Sequence, residues 1–333
     1  MLLVNSFLVS FDSHLTNYFT LPTNSQAAGT PSTSSQAPGT RHRAPNPYRR
    51  AFALLRLPFS LFLMPVFWFG LSALRAPFGW GRAAAAFAIL HLLVYPASNG
   101  YNSYYDKDEG SIGGLKAPPA VTPELLHLVW LFETLALVAS LLLSWSFAAM
   151  VVVYILVSRA YSYEGIRLKK YPLLSTVVVV LFQGAFTFLM AQVGVGATSA
   201  QLAEPSNLRL ALVSTLFLCG SYPLTQIYQH QEDARRGDRT LSLRLGIRGT
   251  FMFAAGGLLA GALLMGFTYW QRGELQNLLI FLVATGPVVA LFSRWAWLAW
   301  RDPALANFEW TMRMNQVSSV CLSLAFIAML ALR

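Results

Sequence analysis

Nine long apolar segments are the feature that most restricts what this chain can fold into. A helix needs about 20 mostly apolar residues to cross the hydrocarbon layer of a membrane, and runs of this length are too long for barrel strands. The sequence therefore predicts an all-α, polytopic membrane protein with nine transmembrane helices. The segments lie near residues 52–73, 83–104, 121–142, 146–163, 172–192, 207–229, 249–270, 276–299 and 312–332.

Charge content and charge placement agree with this prediction. Only 11% of the residues are charged, against about 25% in soluble domains, which excludes an ordinary soluble globule. If the N-terminus is cytoplasmic, 19 of the 24 Lys and Arg residues fall on the cytoplasmic side and 5 on the other. The positive-inside rule thus predicts a protein of the cell inner membrane with a cytoplasmic N-terminus. The anionic bilayer surface is a sufficient partner for the net charge of +10, so no nucleic acid is implied.

The chain divides into two parts of different composition. Residues 21–48 are rich in Ser, Thr, Pro, Gly and Gln, and such a segment buries too little apolar surface to offset its chain entropy. We therefore expect residues 1–48 to form a disordered tail and residues 49–333 to form the transmembrane domain.

Acidic residues are scarce, and their placement is informative. Six of the 14 lie in two short stretches, one after the second apolar segment and one after the sixth. An even number of crossings separates the two stretches, so both are expected at the same, cytoplasmic face. They contain Asp106, Asp108, Glu109, Glu232, Asp233 and Asp238.

Helical spacing predicts a pocket lined by oxygen atoms. Asn102 and Asp106 are four residues apart and share a helix face, which Glu109 extends if the helix continues; Gln229 and Asp233 repeat this spacing. Oxygen ligands of this kind suit Mg²⁺, which binds one or two carboxylates, several waters and substrate phosphates. Our candidate metal ligands are Asn102, Asp106, Asp108, Glu109, Glu232 and Asp233.

A basic segment after the fourth apolar run supplies the opposite charge. It carries Tyr161, Arg167 and Lys169, and Lys116 and Arg236 lie on the same predicted face. Part of this charge serves as a positive-inside anchor. A metal-bound diphosphate also needs cationic partners for its remaining oxygens, and these residues are the nearest supply.

At these residues the chain resembles the UbiA superfamily of intramembrane prenyltransferases. The first motif reads Asn102-S-Y-Y-Asp106-K-D-E-Gly110, and the second reads Gln229-H-Q-E-Asp233-A-R-R-Gly237. Arg56-x-Pro58 in the first segment is also family-like. The chain departs from the family pattern twice, because Gly110 replaces the last Asp of the first motif and Gln229 the first Asp of the second.

The resemblance implies a nine-helix bundle and a Mg²⁺-dependent enzyme. It would transfer a prenyl group from an allylic prenyl diphosphate to a lipophilic, membrane-soluble acceptor. We expect this acceptor to be aromatic, as in quinone biosynthesis. The residues expected in catalysis are Asp106, Asp233, Tyr161 and Lys169. The residues expected to bind substrate are Asn102, Arg167, Lys116, Arg56, Gln229 and Arg236.

Two other functions stay open at this stage. The two missing acids are compatible with a catalytically silent protein that binds a lipid diphosphate, and the apolar segments are compatible with a polytopic transporter. The oligomeric state is not determined by the sequence. We further expect Glu133 to make a polar contact between helices, Gly113-Gly114 to form a flexible lid, and Asn315 to anchor the ninth helix.

Overall fold

The structure is a computed structural model, which describes residues 46–333. Within that range it has nine helices long and apolar enough to cross a membrane, and no strand, so the predicted all-α architecture is confirmed. The nine helices are α1 (Pro47–Ala73), α2 (Trp80–Asp106), α3 (Glu124–Leu143), α4 (Trp145–Ser162), α5 (Pro172–Gly194), α6 (Pro205–Arg236), α7 (Leu241–Gln271), α8 (Leu275–Arg301) and α9 (Phe308–Ala331).

The first described helix begins slightly earlier than the sequence suggests. The predicted tail lies outside the described residues except for its last three positions. Of these, Pro47 and Tyr48 already belong to α1, because the Oδ1 atom of Asn46 accepts a hydrogen bond of 3.0 Å from the Tyr48 amide. An Asn cap followed by Pro is a strong helix start, which explains the shift.

The close packing of α6 against α7 depends on glycine. A Cβ atom on Gly220 would lie 2.8 Å from the carbonyl oxygen of Ala254, and one on Gly257 would lie 2.9 Å from the Gly220 amide nitrogen. Without these Cβ atoms the two backbones touch, as is common where membrane helices associate through small residues. This contact fixes the orientation of α6, whose other face is then directed toward the interior of the bundle.

Besides α7, which is kinked at Gly246, four helices contain irregular turns. In α1 the backbone turns at Arg56, which has a φ of 50°. Both α2 and α5 contain a π-helical segment, at Ile89–Val94 and Phe182–Phe186 respectively. A 3₁₀ turn at Ile227–Gln229 interrupts α6. Irregular turns of this kind often mark functional sites in helices, and all four helices line the cavities described below.

The outer surface of the bundle is apolar. On α8, for example, Val283 is 78% exposed and Leu279 is 63% exposed. Such side chains are unfavourable in water but match the hydrocarbon of a bilayer. The protein is an integral membrane protein, with α8 among the helices whose side chains face lipid.

One ion pair joins two helices inside the bundle. The Arg159 guanidinium on α4 contacts the Glu133 carboxylate on α3, and its central carbon lies 4.1 Å from the ring centroid of Trp130. Glu133 is buried, so its charge is compensated where water is scarce. This is the polar contact between helices that was expected for Glu133.

Candidate functional site

The ends of α2 and α6 meet at one face of the bundle, which we call the motif face, and enclose a small polar cavity. Its volume is about 180 Å³. Five of the residues selected from the sequence line it: Arg56, Asn102, Asp106, Asp108 and Gln229. The two acidic stretches, which are distant in sequence, are therefore neighbours in the fold.

Asp106 is the last residue of α2 and forms an ion pair with Lys169. The Lys169 Nζ atom lies 2.5 Å from Asp106 Oδ1. Helix α2 ends here because Lys107 adopts a left-handed conformation with a φ of 49°. Glu109 therefore does not extend the face of Asn102 and Asp106, and its side chain is exposed. The prediction that Glu109 extends this face rested on continuation of the helix, and the structure contradicts that continuation.

Asp233 lies next to this cavity but is not part of its lining. Its Oδ2 atom accepts a hydrogen bond of 3.1 Å from Thr240 Oγ1, and no ion pair to Asp233 exists within residues 46–333. Lys169 acts electrostatically on both Asp233 and Asp106, and both carboxylates also act on Tyr161. Asp106 and Asp233 thus both interact electrostatically with the same two residues, Lys169 and Tyr161.

Arg236 neutralises two of the other acidic candidates. Its Nη1 atom contacts Asp108, and its Nη2 atom lies 2.7 Å from Glu232 Oε1. Asp108 and Glu232 are therefore not free oxygen ligands in this arrangement, as the sequence-based set had assumed. Arg236 in turn is occupied by carboxylates rather than held ready for a diphosphate.

The loop after α2 is attached to α6 through backbone groups. The amides of Glu109 and Gly110 donate hydrogen bonds of 3.3 and 3.4 Å to Glu232 Oε1. The Gln229 side-chain amide donates a hydrogen bond of 3.2 Å to the Ser111 carbonyl. Gln229 thus uses its amide nitrogen to hold the loop and has its amide oxygen left for other contacts.

The Gly113-Gly114 segment of this loop packs on Phe59 of α1. A Cβ atom on Gly113 would lie 2.5 Å from the Phe59 ring, so only glycine permits the contact. The Arg56 Nη1 atom donates a hydrogen bond of 3.4 Å to the Gly113 carbonyl, and Arg56 Nη2 donates one of 3.2 Å to the Asn99 carbonyl. The expected lid is therefore a loop that rests against α1 in this structure.

The remaining cationic candidates differ in their positions. Arg167 lies 3.4 Å from Asp238 in an ion pair near the motifs. Lys116 pairs with Glu309 instead, and its side chain is 72% exposed. Lys116 is not among the residues that line either cavity, so in this arrangement the structure does not bring it to the predicted substrate site.

A second, larger cavity of about 310 Å³ extends from the polar one into the bundle. Tyr161 lines it, and the Tyr161 and Tyr222 hydroxyl oxygens lie 2.9 Å apart. Its aromatic residues are Phe59, Phe62, Tyr95, Tyr154, Tyr161, Phe182 and Tyr222. The two cavities adjoin each other, since they share the lining residues Arg56, Phe59, Asn102, Thr225 and Asn315.

The match to a protein-family model decides the assignment. The model described as the UbiA prenyltransferase family matches residues 62–317. The chain belongs to this family. It is therefore a prenyltransferase of the membrane, as the motifs had indicated.

Solved structures agree with this UbiA fold. A UbiA homolog from Archaeoglobus fulgidus is 17% identical, with a TM-score of 0.61, and the match covers 86% of this chain and 100% of that one. A UbiA homolog from Aeropyrum pernix K1 is 16% identical, with a TM-score of 0.64 and coverage of 82% and 98%. The Archaeoglobus homolog bound to GPP and Mg²⁺ is 16% identical, with a TM-score of 0.62 and coverage of 85% and 99%. No curated protein matches the chain.

The acidic residues of this UbiA protein suit a metal ion whose remaining ligands come from water and a bound substrate. Residues 46–333 contain no group of three or more His, Cys, Asp or Glu side chains that could hold a metal by themselves. The six-residue ligand set expected from the sequence is therefore not assembled. Mg²⁺ commonly uses only one or two carboxylates, with water and phosphate completing its shell. Asp106 and Asp233 fit this requirement, with the Asn102 amide oxygen nearby.

Sequence reasoning missed several residues of the site. Asn315 was expected to anchor α9 but lines both cavities, and Tyr222, Thr225 and Tyr228 on α6 also contribute to the lining. Thr240, just beyond α6, holds the carboxylate of Asp233. The available signal was their polar character at the end of an apolar helix, since such side chains in a membrane face a cavity or a partner.

Proposed function

We propose that this UbiA-family protein transfers a prenyl group from an allylic prenyl diphosphate to a lipophilic aromatic acceptor, with Mg²⁺ as cofactor. The observation that carries the proposal is that its polar and its aromatic cavity adjoin each other. The small cavity holds Asp106, paired with Lys169, and the large cavity has an aromatic lining. A diphosphate and its apolar tail need these two environments side by side.

The relatives support the choice of donor and cofactor. Two structures of the Archaeoglobus fulgidus homolog are described as bound to GPP and Mg²⁺ and to DMAPP and Mg²⁺. In the present chain, the carboxylates of Asp106 and Asp233 both interact electrostatically with Lys169. When bound, Mg²⁺ would withdraw charge from the diphosphate leaving group. Asp106 and Asp233, with Asn102, are the residues that would hold it.

The residues of the chain would bind and orient the diphosphate. Arg56 lines the polar cavity, Lys169 contacts Asp106 in its lining, and Arg167 pairs with Asp238 near the motifs. Hydrogen bonds from charged donors to phosphate oxygens are about twice as strong as neutral ones. Fixed donors directed at a developing negative charge stabilise the transition state without reorganisation of solvent. These residues would therefore favour departure of the diphosphate.

The reaction then breaks one bond and forms one. The bond between C1 of the prenyl group and the diphosphate oxygen breaks, and both electrons leave with the diphosphate. The aromatic faces around the large cavity, Tyr161 among them, would stabilise the allylic cation by cation–π interaction and exclude water. A nucleophilic atom of the acceptor forms the new bond to C1. The acceptor loses one proton, so the products are the prenylated acceptor and protonated diphosphate.

An aromatic acceptor fits the mixed lining of the large cavity. Besides its aromatic residues, this cavity presents Gln183, Ser221 and Thr225. Most ligand sites in proteins combine such apolar walls with a few polar groups that fix orientation. An acceptor with a ring and polar substituents, of the kind used in quinone biosynthesis, matches both.

The proposed orientation places the motif face in the cytoplasm of the cell, at the inner membrane. It rests on the unequal distribution of Lys and Arg, of which 19 of 24 belong to this side. Soluble prenyl diphosphates would then reach the polar cavity directly from the cytoplasm.

The test uses the full chain reconstituted in liposomes with labelled geranyl diphosphate, Mg²⁺ and a membrane extract that supplies the acceptor. Release of diphosphate and a labelled product, identified by mass, is the expected result. Asp233→Asn should abolish both, while Glu164→Gln, at an exposed carboxylate on the same face, should not change them. Binding of geranyl diphosphate without its cleavage would identify a silent binding protein, and ion flux driven by the substrate would identify a transporter. Either outcome overturns the proposal.

A further inference from the structure

Three arginines lie around the end of α8, and two tryptophans lie between them. The central carbon of the Arg301 guanidinium is 3.9 Å from the ring centroid of Trp297, and that of Arg248, on α7, is 4.9 Å from the ring centroid of Trp300. Arg294 precedes Arg301 by seven residues, almost two helical turns, and therefore lies on the same side of α8. All five residues are exposed, and we call them the α8 patch.

No ion pair neutralises the arginines of the α8 patch within residues 46–333. The ion pairs of this part of the chain involve other arginines and lysines. The nearest acid in sequence, Asp302, accepts a hydrogen bond of 3.0 Å from a backbone amide of the next turn. Arg248 donates a hydrogen bond of 3.1 Å to the Trp300 carbonyl, which is an uncharged acceptor. The patch therefore has an excess of positive charge.

Arginines at the opposite end of the bundle find their partners within the protein. Arg272, just beyond α7, pairs with Glu274 at 3.0 Å and donates a hydrogen bond of 2.9 Å to the Ala73 carbonyl. Its side chain is only 3% exposed. Arg82 donates a hydrogen bond of 3.1 Å to the Leu143 carbonyl. The arginines of the α8 patch differ because they are exposed, so an external anion can reach them.

The length of α8 places the patch at the edge of the bilayer. The helix ends at the motif face, where α9 begins beside the polar cavity. Its 27 residues span about 40 Å, about 10 Å more than the hydrocarbon layer. With this excess shared between both ends, Arg301 lies about 5 Å outside the hydrocarbon and Arg294 about 5 Å inside it. Trp297 lies between them, at the depth where tryptophan is enriched in membrane proteins.

An arginine at the depth of Arg294 needs an anion. A charged side chain that faces hydrocarbon is costly unless it has a partner or reaches the head groups. Side chains of a helix tilt toward its N-terminus, which for α8 points away from the motif face, so Arg294 must bend back to reach them. A phosphate group bound at the patch shortens this distance. Val283 lies three turns deeper on the same side of α8 and is 78% exposed, so an acyl chain finds an apolar surface below the phosphate.

We propose that the α8 patch binds an anionic phospholipid. Arg248, Arg294 and Arg301 hold its phosphate group, and Trp297 and the apolar side of α8 contact its acyl chains. Inorganic phosphate offers the same charge, but the lipid is favoured because the patch continues into a surface that faces the bilayer. The inference is independent of the proposed function, since the residues of the patch line neither cavity.

The experiment titrates phosphatidylglycerol or phosphatidylcholine into the full detergent-solubilised chain and measures bound lipid by native mass spectrometry. One arginine near an anionic lipid contributes about fivefold in affinity, so three favour phosphatidylglycerol by about a hundredfold. Arg294→Gln should weaken its binding about fivefold, and the triple variant Arg248→Gln, Arg294→Gln, Arg301→Gln about a hundredfold. Equal affinity of the wild type for the two lipids overturns the inference.

A second triple variant separates a defined site from the general positive charge of the motif face. Lys170→Gln, Arg235→Gln and Arg239→Gln together remove the same amount of charge from exposed positions outside the patch. This variant should bind phosphatidylglycerol as the wild type does. If it loses as much affinity as the first triple variant, diffuse attraction explains the binding and the inference is wrong.

Replacement of the three arginines of the patch by lysine tests the geometry of the site. Lysine keeps the charge but lacks the planar donors that match a phosphate and that stack on tryptophan. Affinity for phosphatidylglycerol should therefore fall severalfold. Unchanged affinity would show that charge alone attracts the lipid, which would overturn a defined site. The substituted residues are exposed, so we expect these variants to fold.

Inorganic phosphate distinguishes the two sources of the anion. Added in large excess over the lipid, it should leave bound phosphatidylglycerol in place, because it has no acyl chains to contact the apolar side of α8. Release of the lipid by phosphate alone would identify a site for a soluble anion and overturn the assignment to a lipid. None of these measurements uses a prenyl donor, so their failure leaves the proposed function unaffected.

Discussion

Lys169 and Asp106 form an ion pair, with 2.5 Å between Nζ and Oδ1, that connects the segment after α4 to the last residue of α2. Both side chains are largely shielded from solvent. Lys169 also acts on Asp233. One lysine therefore interacts with acids of both motifs, which are more than a hundred residues apart in the chain.

Removal of this lysine should impair donor binding. Lys169→Met retains the apolar stem but loses the charge, and a hydrogen bond to a charged group contributes about 1.5–3 kcal/mol. We therefore expect kcat/KM for geranyl diphosphate to fall by about tenfold to a hundredfold. Lys170→Met, at the exposed neighbouring lysine, is the matched control. Equal kinetics in the two variants would contradict a role for Lys169 in donor binding.

Tyr161 offers a test of aromatic stabilisation. Its ring lines the large cavity, and its hydroxyl pairs with that of Tyr222 at 2.9 Å. If the ring face stabilises the allylic cation, Tyr161→Phe should keep most of kcat, while Tyr161→Leu should lose about tenfold or more, as expected for a desolvated cation–π interaction of about 2 kcal/mol. Single-turnover cleavage of geranyl diphosphate measures this difference. A leucine variant as fast as the phenylalanine variant would exclude this role.

The buried ion pair between α3 and α4 should matter for stability more than for catalysis. Arg159→Met leaves the Glu133 carboxylate buried without its partner, a change that costs about 3–5 kcal/mol in proteins. The double variant Glu133→Leu with Arg159→Met removes both charges and should regain most of this loss. Thermal unfolding in detergent measures the effect. If Arg159→Met and the double variant have the same Tm, the charges of Glu133 and Arg159 do not stabilise each other.

Two adjacent glycines of α7 provide a matched pair for helix packing. A Cβ atom on Gly257 would lie 2.9 Å from the Gly220 amide nitrogen, whereas one on Gly256 has nothing within 4 Å. Gly257→Ala should therefore separate α6 from α7 and lower Tm. Gly256→Ala should be neutral or stabilising by up to about 1 kcal/mol, because alanine favours the helix. The opposite order of the two Tm values would contradict the close contact.

The candidate site could be predicted in part from the sequence. The spacing of Asn102 and Asp106 correctly suggested that the polar stripe of α2 faces a cavity. The extension of that stripe to Glu109 was wrong, because the left-handed turn at Lys107 ends the helix. The direction of the Lys116 side chain could not be predicted either, because a loop position sets no side-chain direction; it pairs with Glu309 at the surface.

The sequence alone determined the helical architecture of this protein and the placement of both motifs at the same end of the bundle. Segment length, apolar content and the order of the segments are local properties. In the hydrocarbon layer an apolar segment of this length must form a helix, which accounts for the nine helices of residues 46–333. Only the tertiary structure decided how the charges pair. The contacts of Arg236 with Asp108 and of Glu232 with the Gly110 amide join residues over a hundred positions apart. They depend on the relative position of the ends of α2 and α6. Helix packing determines this position, and no local sequence pattern encodes it.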